Sequence, residues 1–134
     1  MRIGAHVSTA GGLDLAVDRA LEIGAEAVQI FCSPPQGWAF KPVDELVATK
    51  FKTKAMEQGI GPNVFHGIYL VSLGADDPTL VSRSKKSLIS YMNAAHDLDL
   101  VGVIFHLGSH KGRGFDGCFD QLCTGIREVL ANSP

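Results

Sequence analysis

The sequence lacks the features that mark several classes of protein. Its three cysteines are odd in number and form no C-x-x-C pair, so neither a disulfide framework nor a thiolate zinc site is indicated, and we expect reduced thiols. Its apolar runs are interrupted by glycine, histidine or charge, and none approaches the ~18 residues of a membrane span. The first residues carry no apolar stretch of the kind found in signal peptides. These absences predict a cytoplasmic protein.

Charge is also scarce. Only 19% of the 134 residues are charged, and 12 Lys and Arg against 14 Asp and Glu give a formal net charge of −2, whereas an ordinary soluble domain has roughly 25% charged residues. Because the net charge is near zero, any binding of nucleic acid must come from a local patch. With 46% hydrophobic residues the chain is not disordered, and its length allows one domain.

Short apolar segments alternate with segments of helical periodicity. The apolar segments are residues 2–7, 27–32, 63–66 and 100–106. Their spacing of roughly 30 residues is typical of βαβ units and a parallel sheet, and their nearly continuous apolar character is typical of strands buried on both faces. Four units fit a small open α/β sheet or half of a (β/α)₈ barrel, whose usual length is ~250 residues. The length favours the open sheet, but no G-x-G-x-x-G or P-loop motif makes that sheet a nucleotide binder.

The intervening segments have apolar residues at helical spacing. Ser8 or Thr9 is the predicted N-cap of the first helix, the second helix is expected from about Pro42, and Asp77 followed by Pro78 is a favourable start for the third. The predicted buried stripes are Leu13, Ala16, Val17, Ala20 and Leu21; Val43, Leu46, Val47, Phe51 and Ala55; Val81, Ser84, Leu88, Tyr91, Met92 and Ala95; and Phe115, Cys118, Phe119, Leu122, Cys123, Ile126 and Leu130.

Three of the five histidines fall at the carboxyl ends of predicted strands. These are His6, His66 and His106, and the carboxyl edge of a parallel sheet is where ligands bind in α/β folds. One such histidine is most often structural, but three at equivalent positions suit zinc or another borderline metal. His110 adds a candidate on the loop after His106, whereas His96, near a helix end, is expected to be structural or solvated.

Carboxylates are missing from the same edge. None of the 14 lies at the carboxyl end of a predicted strand, although a hydrolytic metal site normally needs at least one as ligand or general base. Either the site is incomplete, or it is not a metal site.

Two loops carry aromatic residues. Gln36 and Trp38 follow the second strand on a proline-stiffened loop, and Tyr69 and Leu70 follow His66. Proteins that kink DNA or flip its bases insert such apolar wedges into the base stack, but on the sequence alone the favoured interpretation is that the aromatics cap the mouth of the barrel. Lys and Arg in the segment 111–113 either contact phosphate or form a solvated loop.

Four ordered motifs identify a family. They are IGAHVS at residues 3–8 with Gly11-Gly12 close behind, QIF at 29–31 leading to PQGW at 35–38, HGIYLVSL at 66–73 and FHLGSH at 105–110. Their order and spacing over the whole chain resemble the N-terminal half of the endonuclease IV family. The resemblance implies a xylose-isomerase-like TIM (β/α)₈ barrel, of which residues 1–134 form four βα units as a partial domain. It also implies a zinc-dependent DNA repair endonuclease that hydrolyses phosphodiester bonds 5′ to abasic sites in double-stranded DNA, in base excision repair.

The resemblance assigns roles to individual residues. His66 and His106 match two ligands of one zinc in the family's three-zinc cluster, and His6 and His110 match histidines of the same mouth that do not ligate. Tyr69 and Leu70 match the pair that wedges into DNA, and Gln36 and Trp38 lie on the loop that helps to hold the gap open. Gly67 replaces the usual Asp or Ala, and Ser72 the usual Asn; both changes leave the ligands intact.

The family's other ligands, including all its carboxylates, lie on later strands. We therefore expect at most one partial zinc site, no catalytic residue beyond the metal ligands, and no activity from the 134 residues alone. Two rival interpretations stay open: a sugar isomerase or epimerase on a xylose-isomerase-like barrel, and a non-catalytic half-barrel binding module. The two aromatic loops favour DNA over a sugar. Self-association, or pairing with a C-terminal half, is also expected.

Overall fold

The structure is a computed structural model that describes residues 1–134. Four strands alternate with four helices: β1 (Gly4–His6), α1 (Leu15–Glu22), β2 (Ala27–Ile30), α2 (Glu45–Glu57), β3 (Val64–His66), α3 (Pro78–Asp97), β4 (Val103–Ile104) and α4 (Asp116–Ala131). All three strand pairs are parallel, and the sheet order is β1-β2-β3-β4. No helix has the length and apolar character needed to cross a membrane.

The strand order decides between the two expected architectures. An open doubly wound sheet reverses its strand order at a switch point, but here each strand pairs with the next strand along the chain. This progression is that of four consecutive units of a (β/α)₈ barrel. The half-barrel prediction is confirmed, and the preference that length alone gave to an open sheet is wrong.

The two faces of the sheet differ in burial. Side chains at alternate positions face the helices, where Val28, Ile30 and Phe65 are at most 2% exposed. The other face, which we call the open face, carries Gly4, His6, Gln29, Val64, His66 and Ile104. Of these residues only His66 is buried, together with the adjacent Gly67 at the carboxyl edge of the sheet. The expectation of strands buried on both faces is therefore wrong for this chain, because helices cover one face only.

The strands are shorter than their apolar segments. β4 has two residues in place of the seven expected at 100–106, although ladder hydrogen bonds from Val101 N to Asn63 O and from Gly67 N to Ile104 O continue the pairing on both sides. Between them Gly102 has a φ of +154°, a conformation that favours glycine. The backbone conformation at Gly102 therefore limits the length of β4, although the apolar segment extends further.

The helix starts agree with the sequence in one case and depart from it in two. Asp77 caps α3, since its carboxylate accepts from Thr79 N at 2.8 Å, as expected. α1 begins at Leu15, so the Ser8 or Thr9 cap is wrong; Ser8 Oγ instead accepts from Ala10 N in a turn. α2 begins at Glu45 rather than near Pro42, because the Asp44 side chain accepts from Leu46 N at 2.9 Å.

The buried stripe of α4 is rotated from the predicted one. Cys118 and Leu122 are buried as expected, but Phe115 and Phe119 are 56% and 47% exposed. The buried line continues through Gly125 and Val129, because α4 packs against α3 and the loop after β3. Four further predicted core residues are also exposed: Leu21, Leu46, Val47 and Leu130.

An ion cluster joins α1 to α2. The buried carboxylate of Asp14 lies 3.0 Å from Lys50 Nζ and 3.5 Å from Lys54 Nζ, and Lys54 also pairs with Asp18. The hydrogen bond from Lys50 is the largest cause that holds the pKa of Asp14 below its ordinary value. The cluster fixes the first two helices at the back of the strands that carry the site.

Candidate functional site

Five rings meet at the carboxyl edge of the sheet. His66 lies at the centre of this ring cluster, with its ring centroid 5.7 Å from His6, 5.1 Å from Phe31, 5.6 Å from Tyr69 and 5.2 Å from His106. His6 and His66 end β1 and β3 on the open face, and His106 follows β4, whose Ile104 is the register partner of His66. The convergence expected from strand-end positions is present for all three.

His66 is the most constrained of the three histidines. It is 8% exposed, and its Nδ1 lies 2.7 Å from the carbonyl oxygen of Gly67. A carbonyl can only accept, so Nδ1 carries the proton and donates it, and Nε2 keeps its lone pair. A backbone carbonyl on the second ring nitrogen is the usual way in which proteins orient a metal-ligating histidine.

The spacing of His66 and His106 fits one metal ion. With metal–nitrogen bonds of about 2.1 Å in tetrahedral geometry, two imidazole ring centres lie about 5 Å apart, and the observed separation is 5.2 Å. The two side chains make only half of such a site. No group of three or more His, Cys, Asp or Glu residues is placed to hold a metal.

His6 makes a contact that the sequence analysis missed. Gln29 Nε2 lies 2.9 Å from His6 Nδ1, and the two residues face each other in the register of β1 and β2. Partial desolvation of the ring, and to a smaller degree the neighbouring His66, lower the pKa of His6 although the residue is exposed as a whole. The signal that could have revealed Gln29 was its place two residues before Phe31, on the same face of the same strand.

His110 lies outside the ring cluster. Its Nδ1 accepts from the backbone N–H groups of Gly112 and Gly114, both at 3.2 Å, so the side chain stabilises the conformation of the loop in which it lies. His96 is exposed in the last turn of α3. Neither residue makes a ring contact with the three strand-end histidines.

The two aromatic loops are tied to each other and to α3. Tyr69 N donates to Pro35 O at 2.9 Å, and Ser33, at the start of the β2 loop, is held by the buried hydroxyl of Tyr91 through Ser33 N at 3.2 Å and Oγ at 2.8 Å. Burial raises the pKa of Tyr91, so this hydroxyl stays protonated. These hydrogen bonds place the β2 loop beside the ring cluster.

The four predicted DNA-contacting residues differ in accessibility. Tyr69 is 55% exposed while its ring packs on Phe31 and His106, and Gln36 is exposed. Leu70 is half-buried against the core. Trp38 is also half-buried, with the Arg83 guanidinium 4.6 Å from its ring centroid, so its indole packs against α3.

The two basic residues of the loop after β4, Lys111 and Arg113, also differ in accessibility. Arg113 pairs with Asp76 at 2.6 Å and donates to Gly74 O and to Gln121 Oε1, so it fastens the β3 loop to α4. The guanidinium of Arg113 is therefore engaged within the protein and is not part of a solvated loop. Lys111 is exposed and remains the basic side chain of this loop that can reach a phosphate.

The fold and the histidine-lined edge define a half TIM barrel whose ligand-binding end carries imidazoles. The chain belongs to the xylose isomerase-like TIM barrel family, which it matches over residues 17–133. The probable endonuclease 4 of Natronomonas pharaonis is 36% identical over 129 residues, which are 96% of this chain and 46% of the relative. That of Haloarcula marismortui is 38% identical, with 96% and 47% covered. The resemblance to endonuclease IV that the four motifs indicate is confirmed.

Solved structures extend the comparison. The crystal structure of endonuclease IV from Thermus thermophilus superposes with a TM-score of 0.87 at 31% identity, over 98% of this chain and 46% of that chain. D-psicose 3-epimerase from Clostridium cellulolyticum gives 0.72 at 16% identity, over 98% and 48%, and shares the fold alone. The chain thus spans about half the length of the relatives it matches.

Proposed function

We propose that this chain supplies the first strands of a DNA repair endonuclease of the endonuclease IV type. The whole enzyme would hydrolyse the phosphodiester bond 5′ to abasic sites in double-stranded DNA, with zinc as cofactor. The observation that carries the proposal is the His66–His106 pair, with ring centroids 5.2 Å apart and His66 Nδ1 engaged by Gly67 O. The similarity to endonuclease IV over 98% of the chain supports it.

His66 and His106 would hold one zinc ion in this proposal. When bound, such an ion polarises a phosphodiester and lowers the pKa of a bound water. His66 presents a fixed Nε2 lone pair, because its other nitrogen is engaged, whereas His106 is exposed and makes no hydrogen bond that would fix its ring. His66 would therefore fix the direction of one metal–nitrogen bond, and His106 would supply the second ligand.

Tyr69, Leu70 and Gln36 would contact DNA. Tyr69 combines exposure with a rigid base, since its ring packs on Phe31 and its N–H donates to Pro35 O. An aromatic ring held in this way can replace a base in the stack. Gln36 lies on the loop to which Tyr69 is hydrogen-bonded, so both residues approach the same stretch of DNA. We assign Trp38 the supporting role of holding that loop on α3.

Residues 1–134 would act as a partial barrel domain that pairs with a second (β/α)₄ half or with a second copy. β1 and β4 each have one strand neighbour, and unpaired strand edges favour association. The sugar isomerase alternative is supported only by the fold shared at 16% identity, and the exposed Tyr69 favours DNA over a sugar. The non-catalytic binding module would bind no metal at the His66–His106 pair.

Zinc titration tests the proposal. Isothermal calorimetry on the 134-residue chain should find one weak site, because two imidazoles leave half of a tetrahedral shell to solvent. His66→Ala and His106→Ala should each abolish it, while His96→Ala, which removes an exposed histidine of α3, should not. Binding that persists in both site variants would refute the ligand pair.

A further inference from the structure

The three strand-end histidines are not equivalent in their hydrogen bonding. His66 Nδ1 faces a carbonyl oxygen, which only accepts, and His6 Nδ1 faces the side-chain NH₂ of Gln29, which only donates. The two rings lie almost parallel, 28° apart, with centroids 5.7 Å apart. Opposite partners on Nδ1 impose opposite tautomers on the two neutral rings.

The partner on Nδ1 decides what each ring can offer at Nε2. His66 offers a lone pair, which a metal can take. His6 offers an N–H, because its Nδ1 lone pair is already used to accept from Gln29. A metal on His6 Nε2 would require the ring proton to move to Nδ1, where it would face the NH₂ donor of Gln29. His6 therefore faces the mouth as a hydrogen-bond donor and not as a third ligand.

We infer that Gln29 is a positioning residue that fixes His6 as an Nε2–H donor for an anionic phosphodiester oxygen beside the His66–His106 pair. The anionic acceptor rests on the proposed function; the tautomer does not. Gln29 and His6 are register partners on β1 and β2, so two strands, and not a loop, hold the donor in place. His6 is exposed on the open face, so a ligand can approach this residue.

Nitrogen NMR of the histidine side chains tests the tautomer directly. In the ¹⁵N-labelled 134-residue chain at about pH 8, where neutral imidazole predominates, His6 should show a protonated Nε2 and an unprotonated Nδ1. His66 should show the reverse pattern and serves as the internal reference. A proton on His6 Nδ1 would overturn the inference.

The variant Gln29→Glu provides the sharper test. It keeps the shape of the side chain but replaces the donor with an acceptor, so the proton of His6 should move to Nδ1 while the His66 pattern stays unchanged. Gln29→Leu removes the partner and should give averaged His6 signals. An unchanged His6 tautomer in Gln29→Glu would show that Gln29 does not control it.

Binding of a duplex that carries a tetrahydrofuran abasic-site analogue tests the role of the donor. Both Gln29→Leu and His6→Ala should weaken binding about tenfold, the effect of one hydrogen bond to a charged acceptor, and the double variant should lose no more than His6→Ala alone. Additive losses would overturn the positioning role. Failure of the unmodified chain to bind the duplex would refute the phosphate acceptor and count against the proposed function, while the NMR result still decides the tautomer.

Discussion

Replacing Tyr91 with phenylalanine removes one buried hydroxyl and leaves the ring in place between Phe40 and Phe65. That hydroxyl is the only hydrogen-bond partner of the Ser33 side chain and also accepts from Ser33 N. Two neutral hydrogen bonds contribute about 1 kcal/mol each, and a half-buried serine regains part of this from water. We expect a loss of about 1–2 kcal/mol in the free energy of unfolding.

The assay is urea unfolding, with thermal unfolding as a second measurement. For a chain of this length, 1–2 kcal/mol corresponds to a fall in Tm of about 3–7 °C. Tyr69→Phe is the matched control, because the Tyr69 hydroxyl makes no hydrogen bond within the protein and the residue is 55% exposed. Its stability should stay within about 0.5 kcal/mol of the unmodified chain.

A double-mutant cycle separates the hydrogen bond from general damage to the core. Ser33→Ala should destabilise less than Tyr91→Phe, since Ser33 N keeps the tyrosine hydroxyl as its acceptor. In the double variant the losses should be coupled by about 1 kcal/mol. If Tyr91→Phe is as stable as the unmodified chain, or if the losses add, Tyr91 does not anchor the loop that carries Gln36.

Three further predictions concern pH, activity and association. Lys50 depresses the pKa of Asp14, so ionised Asp14 stabilises the fold above its unfolded pKa of about 3.9, and this stabilisation is lost as pH falls through the folded pKa. In urea unfolding, the stability of Asp14→Asn should therefore fall less steeply below about pH 4 than that of the unmodified chain. An equally steep fall in both proteins would contradict this. The 134-residue chain should not incise an abasic duplex, while a chain extended by the C-terminal half of an endonuclease IV should; EDTA-sensitive incision by the short chain would show that added carboxylates are dispensable. Gel filtration with light scattering should give at least twice the mass of one chain, because β1 and β4 are edges and Phe115 and Phe119 are exposed; a compact monomer would contradict this.

The positions of His6, His66 and His106 were predictable because they depend on local rules. Each lies at the end of an apolar segment, and strands in a parallel sheet end at one edge. Alternation along a strand then fixes which residues share a face. The periodicity of strands and helices, together with the shared carboxyl edge of a parallel sheet, was therefore enough to predict that these three imidazoles lie close together.

The contacts that refine the site were not predictable in this way. The hydroxyl of Tyr91 and the backbone of Ser33 are 58 residues apart in sequence. The stacking of Arg83 on Trp38 depends on how α3 packs against the loop after β2. The rotation of the α4 stripe has the same origin. An apolar stripe shows which residues can be buried, but the neighbouring helix decides which of them are.

The two proposed ligands differ in how firmly the fold holds them, and this asymmetry follows from Gly67. A β-carbon at this position would lie 3.2 Å from Phe105 Cβ and 3.7 Å from Ile104 O, so the glycine lets β3 and β4 approach closely just beyond His66. The same backbone donates from Gly67 N to Ile104 O and accepts from His66 Nδ1. His66 is thereby tied to the strand that leads to His106, and its free nitrogen has a fixed direction. His106 lies past the end of β4 and is exposed, and its ring contacts those of His66 and Tyr69. Backbone hydrogen bonding thus sets the direction of the His66 lone pair, whereas ring packing alone places His106.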